Sequence, residues 1–144
     1  MSLDIERLRI DHLVSLELQD QQSYLQPALS QAYASDLLAQ KGVAWAAVLD
    51  GKTIACAGIL EIWEQRAQGW AMFSAAALRN FVAIHRMGLS VLADAPWARV
   101  EIAVDRNHLA AIRWAERLGF QREGLMRCYT ADGRDCFLYS RVKP

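Results

Sequence analysis

Asn107-His108-Leu109-Ala110-Ala111-Ile112-Arg113-Trp114-Ala115-Glu116-Arg117-Leu118-Gly119-Phe120 reads as one helix with a start, an apolar face and a stop. Asn107 is a good N-cap, because its side-chain oxygen can accept from the free N–H groups of a first helical turn. Leu109, Ile112 and Leu118, with the alanines between them, recur at helical spacing. Gly119 suits the position after the last turn, where a residue without Cβ is favoured, and Phe120 opens the next strand.

Arg99 to Val104 reads as the strand before this helix. Phe120 to Tyr129 and Arg134 to Val142 read as a closing hairpin around Asp132-Gly133. A two-residue turn there sets Cys136 opposite Tyr129 and Cys128 opposite Phe137, so the two cysteines point to opposite faces and are not expected to pair. Towards the amino terminus, Ile5 to Ile10 alternates as a half-buried strand, with Asp11 capping a helix through about Gln19. A second helix is expected from Pro27 to Gln40. Ala44 to Leu49 and Thr53 to Trp63 are apolar strands joined by Asp50-Gly51-Lys52, and a turn near Ala67-Gln68-Gly69 leads into a strand from Trp70 to Phe73. A long helix from Ala75 to Ala93 follows, with Leu78, Phe81, Val82, His85, Leu89 and Leu92 on one stripe expected to face inward. Pro96 breaks the chain before Arg99.

The order is β-α-α-β-β-β-α-β-α-β-β. It resembles that of the GNAT acetyltransferases over nearly the whole chain, and the Asn107 stretch resembles their late helix, Asn-x-x-Ala-h-x-h-Tyr-x-x-h-Gly-Phe, where h is apolar. The resemblance implies an α+β (three-layer α/β) fold: a mixed, mostly antiparallel sheet of six to seven strands flanked by about four helices. It also implies that acetyl-CoA lies in a cleft between the fourth and fifth strands, here Trp70 to Phe73 and Arg99 to Val104.

The same resemblance implies the site residues. In the family, a loop resembling Arg/Gln-x-x-Gly-x-Gly/Ala after the fourth strand holds the cofactor pyrophosphate on backbone N–H groups, where the helix dipole also favours an anion. The matching residues are Met72, Phe73, Ser74, Ala75, Ala76, Ala77 and Arg79, without glycine, and Asn107 and Trp114 would flank the pantetheine arm. The family's tyrosine acid falls on Trp114, whose indole carries one N–H and no titratable hydroxyl. Tyr129 is the late tyrosine placed to substitute for it, Tyr139 belonging to the closing strand. The glutamate that removes a proton from the amine has Glu61, Glu64 and Glu101 as candidates. Glu101 alternates with Val100 and Ile102 and would point to the face opposite them, either as this base or as a solvated or salt-bridged strand glutamate. His85 reads as a neutral, hydrogen-bonded residue on an apolar face, His108 as nearer the substrate and His12 as surface.

Size and composition bound the rest. With 144 residues and 53% apolar content, the chain is expected to form a single domain. The 16 basic and 16 acidic residues cancel, which gives no overall field for nucleic acid or an anionic membrane. Cys56, Cys128 and Cys136 lack the spacing of a metal or redox site and are expected as reduced, buried thiols in a cytoplasmic protein. The expected partner is an amine of a small molecule or of a protein end, and exposed tryptophans would suit a homodimer. Two readings follow: an acetyl-CoA-dependent N-acetyltransferase working by direct transfer, or a catalytically inactive GNAT-like structural module. The second is suggested by the glycine-free loop and by Trp114. It also draws on Trp45 to Gly51 and Gly69-Trp70, which resemble small phage proteins with a GNAT-like domain, virion proteins among them.

Overall fold

Leu3–Arg7 (β1) pairs antiparallel with Gly42–Leu49 (β2), which turns back into Lys52–Trp63 (β3) at Asp50-Gly51 in a computed structural model that describes residues 2–144. Asp50 and Gly51 have φ of 49° and 82°, the left-handed pair that matches the twist of a tight hairpin. Arg66–Phe73 (β4) follows β3 directly, so the turn lies at Glu64-Gln65 rather than at Ala67-Gln68-Gly69. Gln65 takes the positive φ of 71° in that turn.

The seven strands form one sheet in the order β1-β2-β3-β4-β5-β7-β6, with Arg99–Asp105 as β5, Gln121–Met126 as β6 and Cys136–Val142 as β7. The β4–β5 pair is parallel over Arg66↔Arg99, Ala67↔Val100 and Gln68↔Glu101, whereas β1–β2, β2–β3, β5–β7 and β6–β7 are antiparallel.

The helices depart from the sequence reading where local hydrogen bonds intervene. Ile10–Ser15 (α1) is short and starts at Arg9, whose N–H donates to His12 Nδ1 at 2.9 Å. Asp11 is not the cap, and His12 is buried rather than on the surface. Pro27 falls in a 3-10 segment, Asp20–Ala28, and the second helix, Gln31–Ala39 (α2), is capped by Ser30, whose hydroxyl accepts from Tyr33 N–H. The long helix breaks at Asn80 into Ala75–Arg79 (α3) and Phe81–Asp94 (α4). The break shifts the buried stripe: Leu78, Val82 and Leu89 are exposed, and Ile84 is fully buried. The late helix is Leu109–Arg117 (α5), with His108 rather than Asn107 at the cap position.

The closing connection is also wider than two residues. Met126 pairs with Cys136, and Arg127 to Asp135 make the loop between β6 and β7. Cys136 therefore does not face Tyr129. Of the three free thiols Cys56 and Cys136 are buried and Cys128 is exposed; burial pushes the Cys56 thiol up to about 12.

By contact density the chain forms two compact units. The first runs to Leu60 and includes Trp70–Arg86. Its core packs Leu13 and Leu16 of the α1 region and Ala34 and Leu37 of α2 on Ala46, Cys56 and Met72 of the sheet. The second holds Glu61–Gly69 and Met87–Pro144; Val100, Val104 and Tyr139 of its strands and Ile112 and Ala115 of α5 are buried. No helix among the described residues is long and apolar enough to cross a membrane.

Candidate functional site

The start of α3 lies in the first unit. Ser74 is extended, at φ −82° and ψ 169°, and occupies the cap position without making a cap hydrogen bond. Its side chain is 6% exposed, and its Oγ has no hydrogen-bond partner among the described residues. An orphaned hydroxyl in an apolar setting is costly, and a native structure rarely keeps one without a use. Ser74 N–H is spent on Ile54 O at 2.8 Å, and Ala77 N–H closes on Ser74 O at 3.1 Å. The N–H groups of Ala75 and Ala76 are those that a helix start leaves without an intrahelical acceptor. Alanine at the two positions after Ser74 is the smallest side chain that still favours the helix.

The other residues expected here divide by environment. Met72 points into the core with Leu13 and Leu16, so its side chain is packing material. Phe73 and Ala77 are buried, and Arg79 is exposed. The backbone of β4 before Ser74 is engaged on the edge opposite β3. Gln22 Nε2 donates to Ala71 O at 2.8 Å, Phe73 N–H donates to Gln22 Oε1 at 2.9 Å, and Gln19 N–H donates to Phe73 O at 2.8 Å.

In the second unit, Glu101 is 8% exposed and held by two arginines. Arg66 donates from Nε at 2.7 Å and from Nη2 at 2.9 Å, and Arg99 donates from Nε at 2.6 Å. The Arg66 guanidinium, then that of Arg99, holds the Glu101 carboxyl below the usual carboxylate range despite its burial. A carboxylate so well satisfied is a weak proton acceptor. The network continues from Arg99 to Glu123 at 2.6 and 2.9 Å and from Ser140 Oγ to Glu123, crossing β4, β5, β7 and β6. Arg99, and after it Ser140, holds Glu123 down at about 2.

Asn107 and Tyr129 are tied to one loop cluster. Asn107 N–H donates to Asp105 Oδ1, Arg134 Nη1 donates to Asp105 Oδ2 at 2.8 Å, and Tyr129 N–H donates to Arg134 O at 2.8 Å. The Tyr129 side chain is exposed. His108 sits beside them, its proton affinity lowered by burial and partly restored by Asp105. Trp114 is half-buried, 3.6 Å from where a Cβ on Gly88 would lie, so its ring fills the space over a glycine of α4.

Among the remaining candidates, Glu61 Oε1 accepts from Trp97 Nε1 at 2.8 Å, and Glu64 is exposed in its turn. Tyr139 is fully buried, its hydroxyl donating to Glu116 at 2.8 Å and accepting from Arg122 at 3.0 and 3.1 Å. The sequence reading passed over Arg66, Arg99, Glu123 and Gln22. The alternation Arg99-x-Glu101 was the one local signal, because the other partners come from distant strands and turns. No metal-binding group of side chains occurs among the described residues.

The fold is that of the GNAT acetyltransferases. Ard1 from Thermoplasma volcanium superposes with a TM-score of 0.78 at 16% identity, covering 99% of this chain and 98% of that one. An N-acetyltransferase from Staphylococcus aureus Mu50 gives a TM-score of 0.76 at 13% identity, covering 99% of each chain. The ribosomal-protein-S18-alanine N-acetyltransferase from Escherichia coli gives 0.74 at 17% identity, covering 98% of this chain and 94% of that one. No family model and no curated protein sequence matches the chain.

Proposed function

We propose that the protein is an acetyl-CoA-dependent N-acetyltransferase that moves an acetyl group directly to a primary amine. The observation that carries this reading is the orphaned, buried hydroxyl of Ser74 at the start of α3, next to the N–H groups of Ala75 and Ala76. Phosphate oxygens placed there would satisfy a donor that the free protein leaves unpaired. The glycine-free loop still presents the donors; it narrows the approach by the width of alanine methyl groups.

Bound acetyl-CoA supplies an activated thioester, whose carbonyl is attacked by the neutral amine as the thiolate leaves. Ser74, Ala75 and Ala76 hold the phosphates and so fix the position of the acetyl end. Tyr129, an exposed phenol of the second unit, is the residue proposed for the proton-donor role that the indole of Trp114 cannot fill. Glu101, ion-paired with Arg66 and Arg99, orders the sheet face, and the amine loses its proton to solvent.

The second reading, an inactive module with this fold, is favoured by the same satisfied state of Glu101 and by Trp114 packing over Gly88. Thiol release from acetyl-CoA, measured against a panel of polyamines, amino acids and peptide amino termini, separates the two. Amine-dependent release that disappears in Ala76→Glu supports the enzyme. Release absent with every amine, in protein that binds acetyl-CoA, supports the module.

A further inference from the structure

Near its end, the edge of β4 opposite β3 is closed by a side chain that imitates a neighbouring strand. Ser74 N–H faces β3 through Ile54 O, so the alternation of a strand turns the backbone groups of Ala71 and Phe73 to the opposite edge. The ladder that β4 makes with β5 ends at Gln68. Beyond it, the Gln22 carboxamide donates to Ala71 O and accepts from Phe73 N–H, as a peptide group of an added strand would, and Gln19 N–H takes Phe73 O. Gln19 Nε2 braces Gln22 Oε1 at 3.0 Å.

The core anchors this segment only at its flanks, through Leu18 and Leu29, with Gln19 buried beside Leu18. Asp20–Ala28 contains no buried residue. Its far end is pinned in the same manner, Leu18 N–H donating to Gln26 Oε1 at 2.8 Å and Gln26 Nε2 to Leu16 O at 2.9 Å. Hydrogen bonds of this kind can be exchanged for those of a ligand at little net cost, whereas an apolar anchor would have to be exposed.

We propose that Gln19 to Gln22 is a latch on β4 that an extended, amide-bearing ligand must displace, with Gln22 as its key residue. The inference rests on the acetyl-CoA reading. A chain whose phosphates lie at Ser74 and which runs back along β4 meets Ala71 and Phe73 next, and the pantetheine arm has two amide groups able to take over their hydrogen bonds. The latch-closed state lowers the apparent affinity by the fraction of molecules that are open.

The test is calorimetric titration of coenzyme A into the wild-type chain, Gln22→Ala and Gln22→Met, the last keeping the length of the side chain. Circular dichroism confirms folding, and hydrogen exchange is followed at the Gln19 amide. The latch predicts affinity about tenfold tighter in both variants, and faster Gln19 exchange on adding coenzyme A to the wild type, the reverse of ordinary ligand protection. Wild-type binding with Gln19 still protected, and unchanged or weaker affinity in the folded variants, overturns the latch and leaves the cofactor reading standing. Absence of binding in the wild type and both folded variants overturns the cofactor reading and the latch with it.

Discussion

Arg66 grips Glu101 through two parallel hydrogen bonds of 2.7 and 2.9 Å, from β4 to β5, and stacks its guanidinium 4.4 Å from the ring centroid of Trp63. This pair fixes one end of the only parallel contact between neighbouring strands described here, and it determines what Glu101 can do. Glu101→Gln keeps the shape and removes the charge that two arginines share. A loss of about 1–3 kcal/mol of unfolding free energy is expected, read by urea denaturation, because the Arg66 guanidinium loses the carboxylate it is bound to and Arg99 keeps only Glu123. If Glu101 were instead a catalytic base, turnover would fall steeply while stability changed little.

The same network predicts the acid limb of the stability profile. Glu101 and Glu123 both have folded-state proton affinities below the ordinary value of 4.5, Glu123 at about 2. A depressed carboxyl stabilises the fold above its unfolded pKa and loses that contribution as pH falls through the folded one. Unfolding free energy should therefore fall from about pH 5 down to about pH 2. Glu123→Gln should flatten this slope, and a slope identical to that of the wild type would remove Glu123 from the network.

Gly88 sits within α4 beneath Leu118 and Trp114, and an added Cβ would lie 3.5 and 3.6 Å from them, at ordinary contact distance. Gly88→Ala is expected to raise the unfolding free energy by about 0.5–1 kcal/mol through helix propensity and reduced freedom of the unfolded chain. A lowered midpoint in thermal denaturation would mean that Trp114 cannot accommodate the methyl group.

Ser74→Ala separates stability from binding. Removing a buried hydroxyl without a partner should leave the free protein unchanged or more stable by up to about 1 kcal/mol. The same change should weaken coenzyme A binding about tenfold, if one charge-assisted hydrogen bond to phosphate is lost. Equal affinity in both proteins would mean that the hydroxyl does not meet the ligand.

What was legible in the sequence was what neighbouring residues decide. Asp50-Gly51 announces its turn because both residues tolerate positive φ, and the Asn107 to Phe120 stretch announces a helix by its periodicity and by Gly119, which takes φ of 95°. Asp132-Gly133 misled for a physical reason. Asp132 is drawn to Thr130 and Arg134, and Asp135 accepts from Cys128 N–H, which builds a broad loop instead of a tight turn. The face of α4 misled because Asn80 interrupts the helix and resets its phase. The glutamate network was out of reach, since Glu101 meets an arginine 35 positions away and the Gln22 bridge spans 49 and 51. Such pairings depend on strand order, which no local pattern encodes.

Thermal unfolding with and without acetyl-CoA decides whether acetyl-CoA binds at the start of α3. At a ligand concentration about 100 times Kd, the wild type should gain about 2.7 kcal/mol and its midpoint should rise by about 8 °C. Ala76→Glu, which sets a negative charge where phosphate is expected, should show no rise. An unchanged wild-type midpoint at millimolar acetyl-CoA, or an equal rise in folded Ala76→Glu, would contradict the account.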